Sequence, residues 1–138
     1  MSRRIAAVAG YTVKNLKEVE DSAPKFGLSP ALEARFAREP LGLESSGVSY
    51  QRLAPSTRAP FGHRHRQQEE LYLVVGGGGR IKLDDDVVEL QQWDAVRISP
   101  ETMRCVEAGP EGLELVAFGA PYTGPGDAEL TPGWWGDS

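Results

Sequence analysis

The feature that most constrains the fold is a series of short, β-prone runs between about residue 46 and residue 120, each separated from the next by a turn signal. The strongest run, residues 70–75, is followed by four glycines, which tolerate the positive φ angles of turns. At least seven such runs occur without a helical pattern between them, which predicts an all-β antiparallel sandwich or closed barrel. The runs are residues 48–53, 70–75, 80–83, 87–90, 95–98, 103–107 and 113–118.

The segments on either side of these runs have a different composition. We therefore expect three parts in the chain: an N-terminal arm with short helices at residues 1–45, a β-barrel at residues 46–120, and a C-terminal tail at residues 121–138. The arm carries no residues with recognisable chemistry, so a packing or dimer-contact role is expected for it.

Local signals in the arm predict its secondary structure. Residues 11–13 have the composition of a short strand, and residues 15–20 and 31–39 resemble short helices. The second helix is the clearer one, because a serine N-cap, a proline in the first turn and two apolar residues four apart all support it. These residues are Ser29, Pro30, Leu32 and Phe36.

Length, charge and cysteine content exclude several classes of protein. The 138 residues fit one domain with a single core. The formal net charge of −5 argues against non-specific binding to nucleic acids or anionic membranes, since both require a basic surface. Cys105 is the only cysteine, so no internal disulfide can form, and a cytoplasmic protein is expected.

Neither an export signal nor a membrane span is predicted. The apolar run at residues 5–10 is shorter than the ~7–15 residues of a signal core, and no run approaches the ~18–20 residues that cross a bilayer. We interpret the first residues as a mobile terminus and expect no membrane partner.

The two histidines of the chain, His63 and His65, are one residue apart, and Glu70 follows them at the start of an apolar run. Alternate residues of a strand face the same side, so both imidazoles can face one ion, and a carboxylate from the next strand can join them. Two histidines and one carboxylate form a ligand set for iron and other divalent metals. The same segment is rich in arginine and glutamine, and a solvated surface loop is the alternative interpretation.

Residues 62–120 resemble a small single-domain member of the cupin superfamily, of the cupin 2 type. The first motif of that family contains two histidines one residue apart, a short spacer, a glutamate, six further residues and a glycine, which His63, His65, Glu70 and Gly77 match. The resemblance implies a double-stranded β-helix, or jelly-roll barrel, in which His63, His65 and Glu70 are metal ligands.

A second alignment of this motif is equally good on spacing alone. Glu69 and Gly76 match it with a spacer that is one residue shorter. We prefer Glu70, because Tyr72 and Val74 then share its face of the strand while the intervening apolar residues pack on the other face.

The second cupin motif is where the chain departs from the family. That motif usually opens with Gly-Asp and later supplies a third histidine, whereas here Trp93-Asp94 opens it and Arg104 stands in the place of the histidine. A register set on Pro100 would place Cys105 there instead. We favour Arg104, in which case Cys105 faces the opposite side of the strand as a small apolar residue.

Arg104 leaves two arrangements open, because a guanidinium is never a ligand and repels a nearby dication. In the first, a weakened site still holds Fe, Mn, Ni or Zn, and Arg104 orients an anionic group of the substrate. In the second, no metal is bound and Arg104 pairs with Glu70. Tyr72 either contacts the substrate in the pocket or belongs to the core.

These observations predict a metal-capable pocket that binds a small organic ligand, with an anionic molecule among the candidates. The resemblance implies a metal-dependent dioxygenase, isomerase or lyase; the alternatives are a non-catalytic binding or sensing module and a structural dimer protein. Small cupins are often dimers, so we expect a homodimer. The rings of Trp134 and Trp135 would then cover a barrel mouth, dock on the partner subunit or fold back on their own barrel.

Overall fold

The structure is a computed structural model that describes residues 10–136, so the prediction of a mobile terminus at the first residues lies outside the described chain. Eight strands form one curled antiparallel sheet, which confirms the predicted all-β jelly-roll barrel. The strands are β1 (Leu32–Phe36), β2 (Gly47–Leu53), β3 (Phe61–His65), β4 (Glu69–Leu83), β5 (Asp86–Gln91), β6 (Ala95–Ile98), β7 (Arg104–Ala120) and β8 (Ala128–Pro132).

The described helices are short. Three are 3-10 helices, at Leu16–Glu18, Ala23–Phe26 and Pro125–Asp127, and one is an α-helix, α1 (Arg38–Leu41). None of them has the length to span a bilayer. The helix predicted at residues 15–20 is thus reduced to a single 3-10 turn, and the strand predicted at residues 11–13 is wrong, because that segment has no regular structure.

The helix predicted at residues 31–39 is also wrong, because most of this segment is strand β1. It pairs antiparallel with β2, with Leu32 opposite Leu53 and Phe36 opposite Ser49. Leu32 and Phe36 are four residues apart, which fits a helix, but together with Ala34 they also form the alternating apolar face of a strand. All three line the barrel cavity.

The four glycines lie inside β4, so the predicted end of the strand at this point is wrong. The register of β4 against β7 shifts between Val74 and Gly76 and again between Gly77 and Gly79, which marks β-bulges. Gly77 has a φ of 64°, and a Cβ added to it would lie 2.0 Å from the carbonyl oxygen of Gly112. Glycine here allows a bend and a close approach of two backbones, and the strand continues to Leu83.

The runs predicted at residues 103–107 and 113–118 likewise form one bent strand, β7, instead of two strands joined by a turn. Strands β4 and β7 pair along their length, from Glu69 opposite Ala120 to Leu83 opposite Arg104. The inward faces of these two long strands supply most of the core. The buried cluster comprises Leu53, Tyr72, Val74, Ile81, Leu90, Ile98, Val106, Ala108, Leu113, Leu115 and Ala117.

Both flanking segments contribute to the sheet. Strand β1 extends it beside β2, and β8 pairs with β3, with Ala128 opposite His65. The division of the chain at residues 45 and 120 stays a prediction, but neither flank is separate from the sheet.

The C-terminal tail folds back on its own barrel. Trp135 is 5% exposed, and the guanidinium carbon of Arg58 lies 4.4 Å from the centre of its ring. The Nζ of Lys82 lies 4.6 Å from the ring centre of Trp134, and Arg58 also donates to the carbonyl of Gly136. In this single chain the two tryptophans thus anchor β8 to the barrel.

Candidate functional site

The side chains of His63 and His65 on β3 and of Glu70 on β4 meet inside the barrel. Their ring nitrogens and carboxylate oxygen lie within 4.8 Å of one another, and no other group of three His, Cys, Asp or Glu residues within residues 10–136 converges in this way. The Nε2 atoms of His63 and His65 lie 3.2 and 3.4 Å from Glu70 Oε1. The solvated-loop interpretation therefore does not describe these histidines.

The structure places Glu70, and not Glu69, beside the histidines. Side chains along β4 alternate between the interior and the surface: Tyr72 and Val74 are buried on the same side as Glu70, whereas Glu69 and Leu71 are exposed on the other side. The preference for Glu70 thus agrees with the geometry.

Glu70 is the electrostatic centre of the group. Its side chain is 11% exposed, and this burial by itself would raise its pKa. The imidazoles of His63 and His65 outweigh the effect of burial and lower the pKa from its ordinary value of 4.5 to about 2. Glu70 is therefore a carboxylate at neutral pH.

Arg104 joins this group from β7, where it lies directly opposite His63. It is 1% exposed, and its Nη1 donates to Glu70 Oε1 at 3.0 Å. Its Nη2 donates to the carbonyl oxygens of Ser99 at 2.8 Å and Pro100 at 3.4 Å. The guanidinium thus binds protein acceptors in the manner of the second arrangement, and a substrate-binding role for Arg104 stays a prediction.

The backbone at Trp93 supports the chosen register of the second motif. Trp93 has a φ of 75°, the left-handed conformation that glycine favours, and it stands where the family has the glycine of its Gly-Asp pair. Cys105, the alternative residue, directs its sulfur to the carbonyl of Ala59 at 3.5 Å. Burial raises the pKa of its thiol to about 11, and Cys105 does not belong to the converging group of His63, His65 and Glu70.

The structure adds one residue that the sequence interpretation missed, Asp127. Its Oδ2 lies 3.1 Å from Nδ1 of His65 and accepts from the backbone N–H of Gln68 at 3.1 Å, and its Oδ1 accepts from that of Gln67 at 2.9 Å. Burial raises the pKa of Asp127, but these hydrogen bonds lower it by more. Since a carboxylate only accepts, Nδ1 of His65 must donate, and in the neutral imidazole Nε2 is then the atom with the lone pair that a metal requires.

Tyr72 lies on the same inner face and lines the cavity. Its hydroxyl is 3.5 Å from Glu70 Oε1, and burial raises its pKa well above the ordinary value of a phenol. The ring belongs to the core, and the neutral hydroxyl is a donor at the edge of the His–Glu group.

A cavity of about 840 Å³ extends from this group to the barrel mouth. The volume lies within the range of small-molecule pockets. Most of its walls are apolar side chains, including the exposed residues Phe26, Phe36 and Leu130 near the mouth. The polar residues of the interior therefore lie at the end of a largely apolar pocket.

The donor set at the floor fits a divalent metal. His65 Nε2 is buried without a hydrogen-bond partner among the described residues, its ring is oriented by Asp127, and Glu70 is ionised. Arg104 opposes metal binding, because its positively charged Nη1 donates to Glu70 Oε1, the same oxygen that would bind the ion. We expect three protein ligands, His63, His65 and Glu70, and an affinity lowered by the neighbouring cation.

A curled double-stranded β-helix with an HxH–Glu group on its inner face has the cupin fold, and the solved structures similar to this chain confirm it. No protein-family model matches the chain. A cupin protein from Bacteroides fragilis is 23% identical and has a TM-score of 0.68, covering 85% of this chain and 92% of that one. These likenesses establish the fold.

Three further proteins are similar. A Streptomyces PAC13 variant solved with uridine is 18% identical, with a TM-score of 0.66 and 88% of each chain covered. A salicylate 1,2-dioxygenase from Pseudaminobacter salicylatoxidans is 14% identical, with a TM-score of 0.61, covering 71% of this chain and 30% of that one. An uncharacterized protein of Methanocaldococcus jannaschii is 29% identical over 69 residues, which are 49% of this chain and 55% of that relative's length.

Proposed function

We propose that this chain is a small-molecule-binding protein of the cupin fold whose pocket holds a divalent metal weakly on His63, His65 and Glu70. The observation that carries the proposal is the convergence of two imidazoles and an ionised carboxylate in a cavity of about 840 Å³. The dioxygenase and the uridine-bound PAC13 variant among the similar structures support a small-molecule role in general terms, without naming a substrate.

The catalytic form of this proposal is a metal-dependent dioxygenase, isomerase or lyase. A metal held at this position would supply a site for O2 or polarise a substrate carbonyl. The protein would orient His65 through Asp127, place the hydroxyl of Tyr72 beside the reacting group, and exclude water with the apolar cavity walls.

A second candidate is a metal-free binding or sensing module, favoured by one specific observation. The Arg104 guanidinium, 3.0 Å from Glu70, already places a positive charge beside the carboxylate that would bind the metal. In that case the pocket captures a ligand without turnover. The homodimer and the cytoplasmic location stay predictions in either case.

Metal analysis tests the proposal directly. We expect untagged protein to bind about one Co²⁺ per chain in an absorbance titration and His65→Ala to lose it. The matched control is Arg64→Ala, because the Arg64 side chain is exposed and pairs with Glu129 away from the group. If the wild-type protein binds no metal, the metal-holding function is wrong and the metal-free module remains. If His65→Ala binds metal unchanged, the metal-holding function on these residues is wrong and the metal-free module is excluded as well.

A further inference from the structure

The side chain of Gln68 lies inside the cavity, although the sequence interpretation gave it no role. It is 8% exposed and lines the cavity wall. A Cβ added to Gly119 would lie 1.9 Å from Gln68 Nε2, so the amide rests directly on Gly119. Gly119 is opposite Glu70 in the β4–β7 pairing, and the amide of Gln68 therefore lies beside the polar floor of the pocket.

The side-chain amide of Gln68 has no hydrogen-bond partner among the described residues. Among the hydrogen bonds of residues 10–136, Gln68 contributes its backbone N–H to Asp127, and its side-chain amide takes part in none. An amide has two N–H donors and a carbonyl acceptor, which can pair with a molecule that enters the cavity. A ligand with a matching polar group would gain hydrogen bonds here that the apolar walls cannot offer.

The cavity has no uncompensated formal charge on the Asp, Glu, Lys and Arg side chains that line it in the described chain. Each lies in an ion pair: Glu70 with Arg104, Glu33 with Arg52, and Arg38 with Glu39. The Nε atoms of Arg38 and Arg104 have no hydrogen-bond partner among the described residues, but both guanidinium charges are paired. A charged ligand would therefore lose its hydration in this apolar pocket without gaining a counter-charge that is not already shared. The pocket therefore favours an uncharged ligand.

We propose that the pocket selects an uncharged, largely apolar organic molecule with one carboxamide or similar donor–acceptor group, and that Gln68 recognises this group. The proposal rests on the small-molecule function of the same pocket and concerns its metal-free form, because a bound dication would supply a counter-charge for an anion. It differs from the anionic ligand expected from the sequence, because Arg104 is already occupied by Glu70 and two carbonyls.

Three matched probes separate these chemistries: 2-naphthamide, 2-naphthoate and 2-naphthylmethylammonium, which share one apolar body. Affinities are measured by calorimetry at pH 7.5 with EDTA, so that metal binding does not contribute. We expect 2-naphthamide to bind at least about 10-fold more tightly than either charged probe. Tighter binding of 2-naphthoate, or no binding of 2-naphthamide, overturns the proposal.

Variants then locate the recognition. Gln68→Leu keeps the volume but removes the amide, and we expect it to abolish the preference for 2-naphthamide. Gln67→Leu is the control, because Gln67 is exposed and only its backbone N–H contacts Asp127. An unchanged preference in Gln68→Leu overturns the assignment. If that variant does not fold, the Gln68 side-chain NH₂ resonances of the wild type provide the test: a shift on addition of 2-naphthamide supports the assignment, and no shift overturns it.

Failure of the ligand assignment can be distinguished from failure of the proposed metal site. Binding of 2-naphthamide without any binding of Co²⁺ supports the ligand assignment and contradicts the metal. Binding of Co²⁺ without any binding of 2-naphthamide supports the metal and overturns the ligand assignment.

Discussion

Replacing Arg104 with histidine tests whether the guanidinium stands in place of a metal ion. Arg104 lies directly opposite His63, and its Nη1 lies 3.0 Å from Glu70 Oε1. The substitution removes a positive charge from the ligand oxygen and adds a third imidazole at the position where the family motif has one. Both changes favour binding of a divalent cation.

The expected magnitude follows from the distances. A dication bound to Glu70 would lie about 4 Å from the guanidinium charge, where the repulsion at an effective dielectric constant of about 20 is about 8 kcal/mol. The guanidinium can move away and water can enter, so we use a quarter of this value, about 2 kcal/mol, as the expected gain. Since each 1.36 kcal/mol is tenfold, Arg104→His should bind metal at least about 30-fold more tightly than the wild type.

A Co²⁺ titration followed by absorbance, with calorimetry for the affinity, measures this effect. Arg104→Met separates the two causes, because it removes the charge without adding a ligand and should give an intermediate affinity. Arg97→His is the control for a histidine added elsewhere, since Arg97 is an exposed residue on β6. A folded Arg104→His variant that binds Co²⁺ no more tightly than the wild type would refute the reasoning.

Four further predictions follow from other parts of the structure. Asp127→Asn should lower metal affinity about 10- to 100-fold in a Co²⁺ titration, because it removes the negative charge that orients and polarises the His65 ring; an unchanged affinity would contradict this. Trp93→Gly should raise the free energy of unfolding in urea by about 1 kcal/mol, because Trp93 has a φ of 75° and is 67% exposed; a decrease would show that its ring is needed for packing. The lowered pKa of Glu70 should contribute about 3 kcal/mol of stability above pH 4.5, lost as the pH falls to about 2, and Glu70→Gln should flatten this dependence in acid denaturation. Deleting residues 133–138 should destabilise the protein by removing the buried Trp135, without changing its molar mass in light scattering; a smaller mass would show that the tail holds subunits together.

The core of the candidate site could be predicted because it depends on local periodicity. His63 and His65 alternate on one strand, and Glu70, Tyr72 and Val74 alternate on the next, so the period of two places all of them on inner faces. The positive φ of Trp93 likewise lies where the motif expects a glycine. Each of these features depends on only a few consecutive residues, which is why it could be predicted from the sequence.

The errors occurred where a local signal had two physical meanings. Leu32 and Phe36 fit one face of a helix and one face of a strand, and only the pairing of β1 with β2 decides between them. Glycine permits a turn, but it also permits close contact between strands. At Gly79 an added Cβ would lie 2.0 Å from the carbonyl oxygen of Glu107, so the partner strand requires glycine there and no turn is formed.

Asp127 could not be predicted at all, because its role depends on pairing across 62 residues. Strand β8 pairs with β3 so that Ala128 lies opposite His65, and the preceding residue can then reach Nδ1 of that histidine. Just beyond the far end of β8, Trp134 and Trp135 contact Lys82 and Arg58 of the barrel, and we expect these contacts to help hold the register of the strand. The tail therefore contributes to the site. Its tryptophans help to position β8, and Asp127 beside β8 orients His65, one of the three proposed metal ligands. A change in the tryptophans should thus alter metal affinity as well as stability, even though neither ring contacts the His–Glu group.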